Sequence, residues 1–188
     1  PLFGLVCLPL AWLSHLSIIG ARIGWMFFGW GALLVSLACS IRLVHGRRLV
    51  LAGFSRGVGI DVTTSAALLP LLLSIRWILA NFEHLQVNIA ILALTLLGLV
   101  YHRERHDRPA GLLIGLAAAL KLMPVLFVPY FVWRRQWSAM AWTLTGVAGW
   151  TLLPAVVYGP AKFLGQFRDW LDFFHRGQGV GKMNDSAF

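Results

Sequence analysis

Apolar runs of up to about 24 residues recur at 2–20, 23–41, 62–82, 86–101, 110–133 and 138–158, and every Lys and Arg except Arg76 and Lys121 falls outside them. A hydrocarbon layer about 30 Å thick needs some 20 residues of helix at about 1.5 Å each. Backbone groups in that layer find no water, so each run must bond its own N–H and C=O groups as a helix. The fold class this dictates is all-α: a polytopic transmembrane helical bundle forming one domain over 1–188.

Composition agrees. Of the 188 residues, 59% are hydrophobic and the mean hydropathy is +0.75, above the roughly 45–50% apolar share of soluble domains. Nine Trp are present, and Trp12, Trp25, Trp77, Trp137 and Trp142 sit near the ends of runs, where amphipathic rings favour the headgroup layer. The formal charge of +9 comes from cations that punctuate apolar segments instead of covering a polar face. That distribution points to the lipid bilayer as partner and away from nucleic acid. Cys7 and Cys39 lie far apart inside apolar runs, which encodes neither a disulfide framework nor a zinc site.

Charge bias sets the expected threading. The first two runs are expected to pair around a turn at Arg22, and Arg42, His45, Arg47, Arg48 and Arg56 then mark a cytoplasmic loop. Run 62–82 carries Pro70 and Arg76, which predict a kink or a water-filled cleft. The turn at 81–85 has no Lys or Arg and is expected outside, whereas "HRERHDRP" (102–109) belongs in the cytoplasm. Run 110–133 has Lys121 and Pro124 at its centre. A single crossing would put Arg134 and Arg135 outside, so a broken, re-entrant hairpin with Lys121 near its tip is favoured. After 138–158, "GPAKFLGQFRDWLDFFHRG" places aromatic residues at helical spacing opposite charges, the pattern of an amphipathic interfacial helix. The opening "PLFGLVCLPLAWL" has no basic residue before its apolar stretch, so the chain is expected to be a fragment and not a protein that begins with a signal peptide.

Two polar groupings call for a role. Lys121, flanked by "AGLLIGLAAAL" and "LMPVLFVPYF", must snorkel, pair or line a wet site; an ammonium there suits an anionic headgroup. Glu83, His84, Gln86 and Asn88 crowd the mouth of the next apolar run, and four hydrogen-bonding side chains within six positions suit sugar hydroxyls. Two motifs are decoys. "HRERH" is not HExxH, so no metal is expected, and "GQGVGK" lacks the spacing of a phosphate loop.

In order along the chain, "HLQVNIAILAL", "RPAGLLIGLAAALKLMPVLFVPYFVWRRQW" and "MNDSAF" resemble the landmarks of glycosyltransferase family 87, multi-spanning enzymes of the C-type superfamily. His84, Gln86, Val87 and Asn88 match the first landmark, and Ala110, Gly111, Lys121 and Pro124 the second. Arg134, Arg135 and Trp137 match a basic turn, and Asn184 and Ser186 a late polar motif. Leu85 stands where the family has Gly, and Asp185 where it has Gln.

The resemblance implies inverting transfer of mannose or arabinofuranose from a polyprenyl-phosphate donor to a glycolipid or polysaccharide acceptor. It also implies a bacterial plasma membrane, with the active site on the extracytoplasmic face. Glu83, His84, Gln86, Asn88, Asn184 and Ser186 are then the expected substrate-binding residues, and Lys121 and Arg76 the expected donor-phosphate residues. The general base is expected to be an Asp in a first extracytoplasmic loop upstream of these helices, with Glu83 as the alternative; Asp61 falls on the wrong side. No cofactor is expected, and nothing in the sequence bears on a divalent cation. The competing class is a transporter of an anionic or lipid-linked substrate with a midplane site at Lys121, since broken helices and a buried Lys also build carrier sites. No inverted repeat supports it.

Overall fold

The computed structural model describes residues 17–45, 72–83 and 86–176. They form seven α-helices: α1 (Ile18–His45), α2 (Ile75–Glu83), α3 (Asn88–Arg103), α4 (Asp107–Leu120), α5 (Phe127–Trp133), α6 (Trp137–Tyr158) and α7 (Pro160–Arg176), with a 3₁₀ turn at Met123–Leu126. No strand occurs among the described residues. Two helices, α1 and α6, are each long and apolar enough to cross a bilayer, and α2 with α3 makes a third candidate bent by 119°. Positions 1–16, 46–71 and 177–188, which include most of the expected first span and Arg47, Arg48 and Arg56 of the expected basic loop, lie outside the described residues, as do His84 and Leu85, whereas Arg42 and His45 of that expected loop belong to the last turn of α1.

One expectation is corrected. No turn occurs at Arg22, because α1 runs unbroken from Ile18 through Gly20 and Arg22. Arg22 is exposed in the second helical turn, close enough to the helix end for its long side chain to reach the headgroups without breaking the helix.

The remaining helices run alongside one another in alternating or matching senses that contacts fix. Trp25 and Gly29 share a pocket with Ile89 and Ala90, and Arg103 Nη1 donates to Leu43 O at 2.5 Å at the other end, so α1 and α3 run parallel. Gly98 lies against Ala110 and Ile114 while Asn88 meets Lys121, so α3 and α4 run antiparallel. Helices α4 and α6 run parallel and touch through backbone: a Cβ on Gly115 would lie 2.7 Å from Gly146 Cα and Val147 N. Small residues one turn apart (Gly111, Gly115) against Gly146 are how membrane helices approach closely when the hydrophobic effect offers no drive between them. Hydroxyls in the interior bond back to their own helices, Thr95 to Ile91 O and Thr143 to Ala139 O, both at 2.8 Å.

The stretch after α4 is a hairpin. Lys121 leaves helical geometry (φ −148°, ψ 130°), the buried Pro124 opens a 3₁₀ turn, and α5 returns toward the start of α4. Phe131, fully buried, packs with Ile114 and Ala139. At the hairpin base His102 bridges two turns, its Nδ1 against Asp107 Oδ1 and its Nε2 against Gln136 Oε1, both at 2.9 Å. Two crossings' worth of arginines, Arg103, Arg105, Arg134 and Arg135, therefore share one end of the bundle, as the charge argument for a re-entrant hairpin requires.

Both base turns are built alike. The amide of His106 reaches back to Tyr101 O and that of Arg105 to His102 O; Gln136 and Arg135 repeat this with Phe131 O and Val132 O. These are Schellman caps, in which the penultimate residue takes a left-handed conformation. Arg105 (φ 65°) and Arg135 (φ 54°) occupy it in place of the usual Gly.

Candidate active site

Lys121 sits at the hairpin tip, at the end of α4 that faces the start of α3. Its Nζ donates to Asn88 Oδ1 at 2.7 Å, and Asn88 Nδ2 donates to Gln86 Oε1 at 2.6 Å. A continuous polar line thus runs from the ammonium to the segment before α3. That helix opens at Asn88 with Val87 as cap, two residues later than the expected start at Gln86. Extending the Gly115–Val147 register places Lys121 level with about residue 153 of α6, which continues to Tyr158. At about 1.5 Å per residue, the ammonium is recessed by roughly 8 Å from the end of that helix.

The other expected residues distribute as follows. Glu83 is the last residue of α2 and is exposed, and it makes no ion pair or hydrogen bond among the described residues. Arg76 is exposed on the first turn of α2. His84, Asn184 and Ser186 lie outside the described residues. The geometry therefore joins Lys121, Asn88 and Gln86 by hydrogen bonds, which Glu83 and Arg76 do not enter.

The opposite end differs chemically. Arg42 of α1 pairs with Glu104, Arg103 caps the last carbonyls of α1, and the Arg108 guanidinium lies 5.3 Å from the centre of the Trp142 ring. These cations are engaged by a carboxylate, by carbonyls and by an aromatic face, arrangements that tie helices together. Among the described residues no group of three or more His, Cys, Asp or Glu is placed to hold a metal ion.

The model of glycosyltransferase family 87 matches residues 1–185. The chain belongs to glycosyltransferase family 87. A polyprenol-phosphate-mannose-dependent α-(1-2)-phosphatidylinositol mannoside mannosyltransferase of Mycolicibacterium smegmatis is 39% identical over 72 residues, 38% of this chain and 16% of the relative. The protein of the same description from Mycobacterium tuberculosis is 36% identical over 78 residues, 42% of this chain and 18% of the relative. The family 87 chain thus aligns with less than a fifth of either relative's length. No solved structure matches it.

Two polar residues of this family 87 chain carry no signal in the sequence. Asn81 has a buried amide oxygen. His102 belongs to the decoy motif HRERH, and its partner Gln136 is 34 positions away, a separation no local pattern exposes.

Proposed function

We propose that this chain is part of a membrane glycosyltransferase that moves a mannosyl group from a polyprenyl-phosphate donor to a glycolipid acceptor, with inversion, on the extracytoplasmic face. Mannose is preferred to arabinofuranose because both named relatives are described as mannose-dependent, and a phosphatidylinositol mannoside is the model acceptor on the same ground. The carrying observation is the Lys121–Asn88–Gln86 line. Its end of the bundle is opposite the arginine-rich base, which the charge bias assigns to the cytoplasm.

In this reading Lys121 meets the donor phosphate. The acceptor hydroxyl oxygen attacks the anomeric carbon as the bond from that carbon to the phosphate oxygen breaks. A carboxylate takes the hydroxyl proton, and polyprenyl phosphate leaves with one more negative charge. An ammonium already in place stabilises that growing charge without rearrangement at the moment of reaction. Asn88 holds the ammonium with a neutral oxygen, so the positive charge is not cancelled. Gln86 and, in the proposal, Glu83, His84, Asn184 and Ser186 face the sugar hydroxyls, while Arg76 is the second cation available to the phosphate. An Asp outside these helices is the proposed base, with Glu83 the alternative. A midplane carrier site is not favoured, since Lys121 is recessed by only about 8 Å from the end of α6, short of half the roughly 30 Å hydrocarbon layer.

The test is Lys121→Met in the full-length protein, assayed in membranes with polyprenyl-phosphate mannose and a phosphatidylinositol mannoside. Turnover should fall by about 10²–10³-fold, the usual loss when one preorganised donor to a developing anion is removed, with membrane insertion unchanged. Unaltered turnover would return Lys121 to a purely structural part.

A further inference from the structure

Where the end of α1 meets the end of α3, a partly open cavity of about 190 Å³ is lined by Arg42, Leu43, Val100, Arg103 and Glu104. That volume takes several water-sized groups. Two guanidinium groups from different helices belong to its lining. Arg103 spends one nitrogen, Nη1, on the carbonyls of Arg42 and Leu43 at 3.3 and 2.5 Å, and Arg42 spends Nη2 on Glu104. A guanidinium spreads its N–H donors over three nitrogens, so Nε and one Nη of each residue have no partner among the described residues. Neither side chain is closed off: Arg42 is 31% exposed and Arg103 is exposed as well.

The charges decide what kind of ligand fits. Two Arg and one Glu give the lining a net charge of +1, the complement of the single negative charge of a phosphodiester. Guanidinium forks pair with phosphate oxygens through parallel hydrogen bonds. Position decides where the phosphate comes from. Trp133 (81% exposed) and Trp137 (58% exposed) flank Arg134 and Arg135 at the same end of the bundle, and aromatic and cationic side chains together mark a headgroup layer. On α1, Val35 lies about two turns before Arg42 on the same face and is exposed, so the surface leading along the helix to the cavity is apolar and open. Acyl chains need such a surface, and a soluble anion does not. A cation that served only to orient the chain would need neither a cavity nor a second guanidinium on a neighbouring helix.

We propose that this cavity binds the phosphodiester of an anionic phospholipid, held between Arg42 of α1 and Arg103 of α3. Basic recesses between membrane helices are a general form of headgroup site. The bound lipid joins the two helices at the base, and it is separate from the sugar donor, whose proposed phosphate site is Lys121 at the opposite end. The inference therefore does not depend on the glycosyl-transfer reading.

The experiment is native mass spectrometry of the full-length protein, released from detergent micelles doped with equal amounts of phosphatidylglycerol and phosphatidylcholine. Wild type should retain phosphatidylglycerol over phosphatidylcholine by about 30-fold, the gain from two cations at an anionic headgroup. Arg42→Gln and Arg103→Gln should each lower that ratio about 5-fold. Arg135→Gln, which removes the same charge from the same end but outside the cavity, should leave it unchanged. Each ratio is internal to one protein preparation, so a general loss of folded protein cancels. Equal retention of the two lipids by wild type overturns the site, and so do equal losses in all three variants, which would mean diffuse attraction to the base. Displacement of the lipid by inorganic phosphate would make a free anion the ligand and reject the phospholipid. A loss in Lys121→Met with none in Arg42→Gln or Arg103→Gln would move the lipid to the tip and reject the cavity. Arg103 also caps α1; should Arg103→Gln not fold, the wild-type and Arg42→Gln arms decide.

Discussion

The backbone approach of α4 to α6 at Gly115 makes a quantitative demand. A Cβ on Gly115 would stand 2.7 Å from Gly146 Cα, about 0.7 Å short of the 3.4 Å of an ordinary contact, and the obstacle is backbone, which cannot rotate away. Gly149 of α6 has nothing within 4 Å. Replacing either Gly by Ala gains a similar helix-propensity term of about 1 kcal/mol, so the difference between the two variants isolates the contact. Forcing α4 from α6 belongs to overpacking, at about 1–3 kcal/mol, and a gap of this size forfeits a quarter to a half of each dispersion contact it opens. Gly115→Ala should therefore be less stable than Gly149→Ala by about 1–3 kcal/mol, a factor of roughly 5–150 in the unfolding equilibrium. Gly146→Ala, whose nearest neighbours are at 3.1–3.2 Å, should fall between them. The assay is unfolding in mixed micelles, followed by tryptophan fluorescence. Equal stability of Gly115→Ala and Gly149→Ala would refute the backbone contact and, with it, the parallel register that sets the depth of Lys121.

Other perturbations separate the two ends of the bundle. His102→Leu should destabilise by about 1–3 kcal/mol in the same assay, because Asp107 and Gln136 each lose their partner; with the Asp107 side chain 31% exposed, the lower part of that range is expected. Glu104→Gln should cost less than about 1 kcal/mol, less still at high salt, since both members of the Arg42–Glu104 pair are about one-third exposed. Arg135→Gly should leave stability unchanged or raise it by up to about 1 kcal/mol, because φ 54° strains any residue with a Cβ, and a clear loss would mean that the guanidinium has a structural partner.

Much of the architecture was legible because the bilayer leaves so few solutions. Arg134 and Arg135 favoured a re-entrant hairpin over a single crossing through charge alone, and the shared base at His102 and Gln136 has that form. Arg22 misled for an energetic reason: a helix accommodates an Arg near its end at little cost when the side chain can reach water, so a cation does not imply a turn. The Lys121–Asn88 contact spans 33 positions, and only the pairing of α3 with α4 brings it about; the sequence offered the two residue types and not their meeting. The seating of Phe82 on Gly29 joins residues more than 50 positions apart in the chain, which no local pattern exposes. Local pattern assigns elements, whereas the chemistry of a site depends on which elements touch.

The Arg residues at 105 and 135 turn this into an argument about selection between energies. Gly fits a Schellman cap without strain, yet both turns carry Arg. A cation beside the membrane gains about 1 kcal/mol from an anionic leaflet, comparable to the left-handed penalty it incurs, so orientation can outweigh local backbone comfort there. At the opposite end the balance is reversed. Lys121 has no carboxylate partner among the described residues, although an acidic side chain in place of Asn88 would stabilise an isolated ammonium better than a neutral amide. A neutral partner orients the cation and leaves its charge unspent, which a purely structural Lys would not need. The arginines of the base with a described partner are held by carbonyl, carboxylate or ring, while the cation of the tip is positioned by a neutral amide alone among the described residues, as the proposed donor-phosphate role requires.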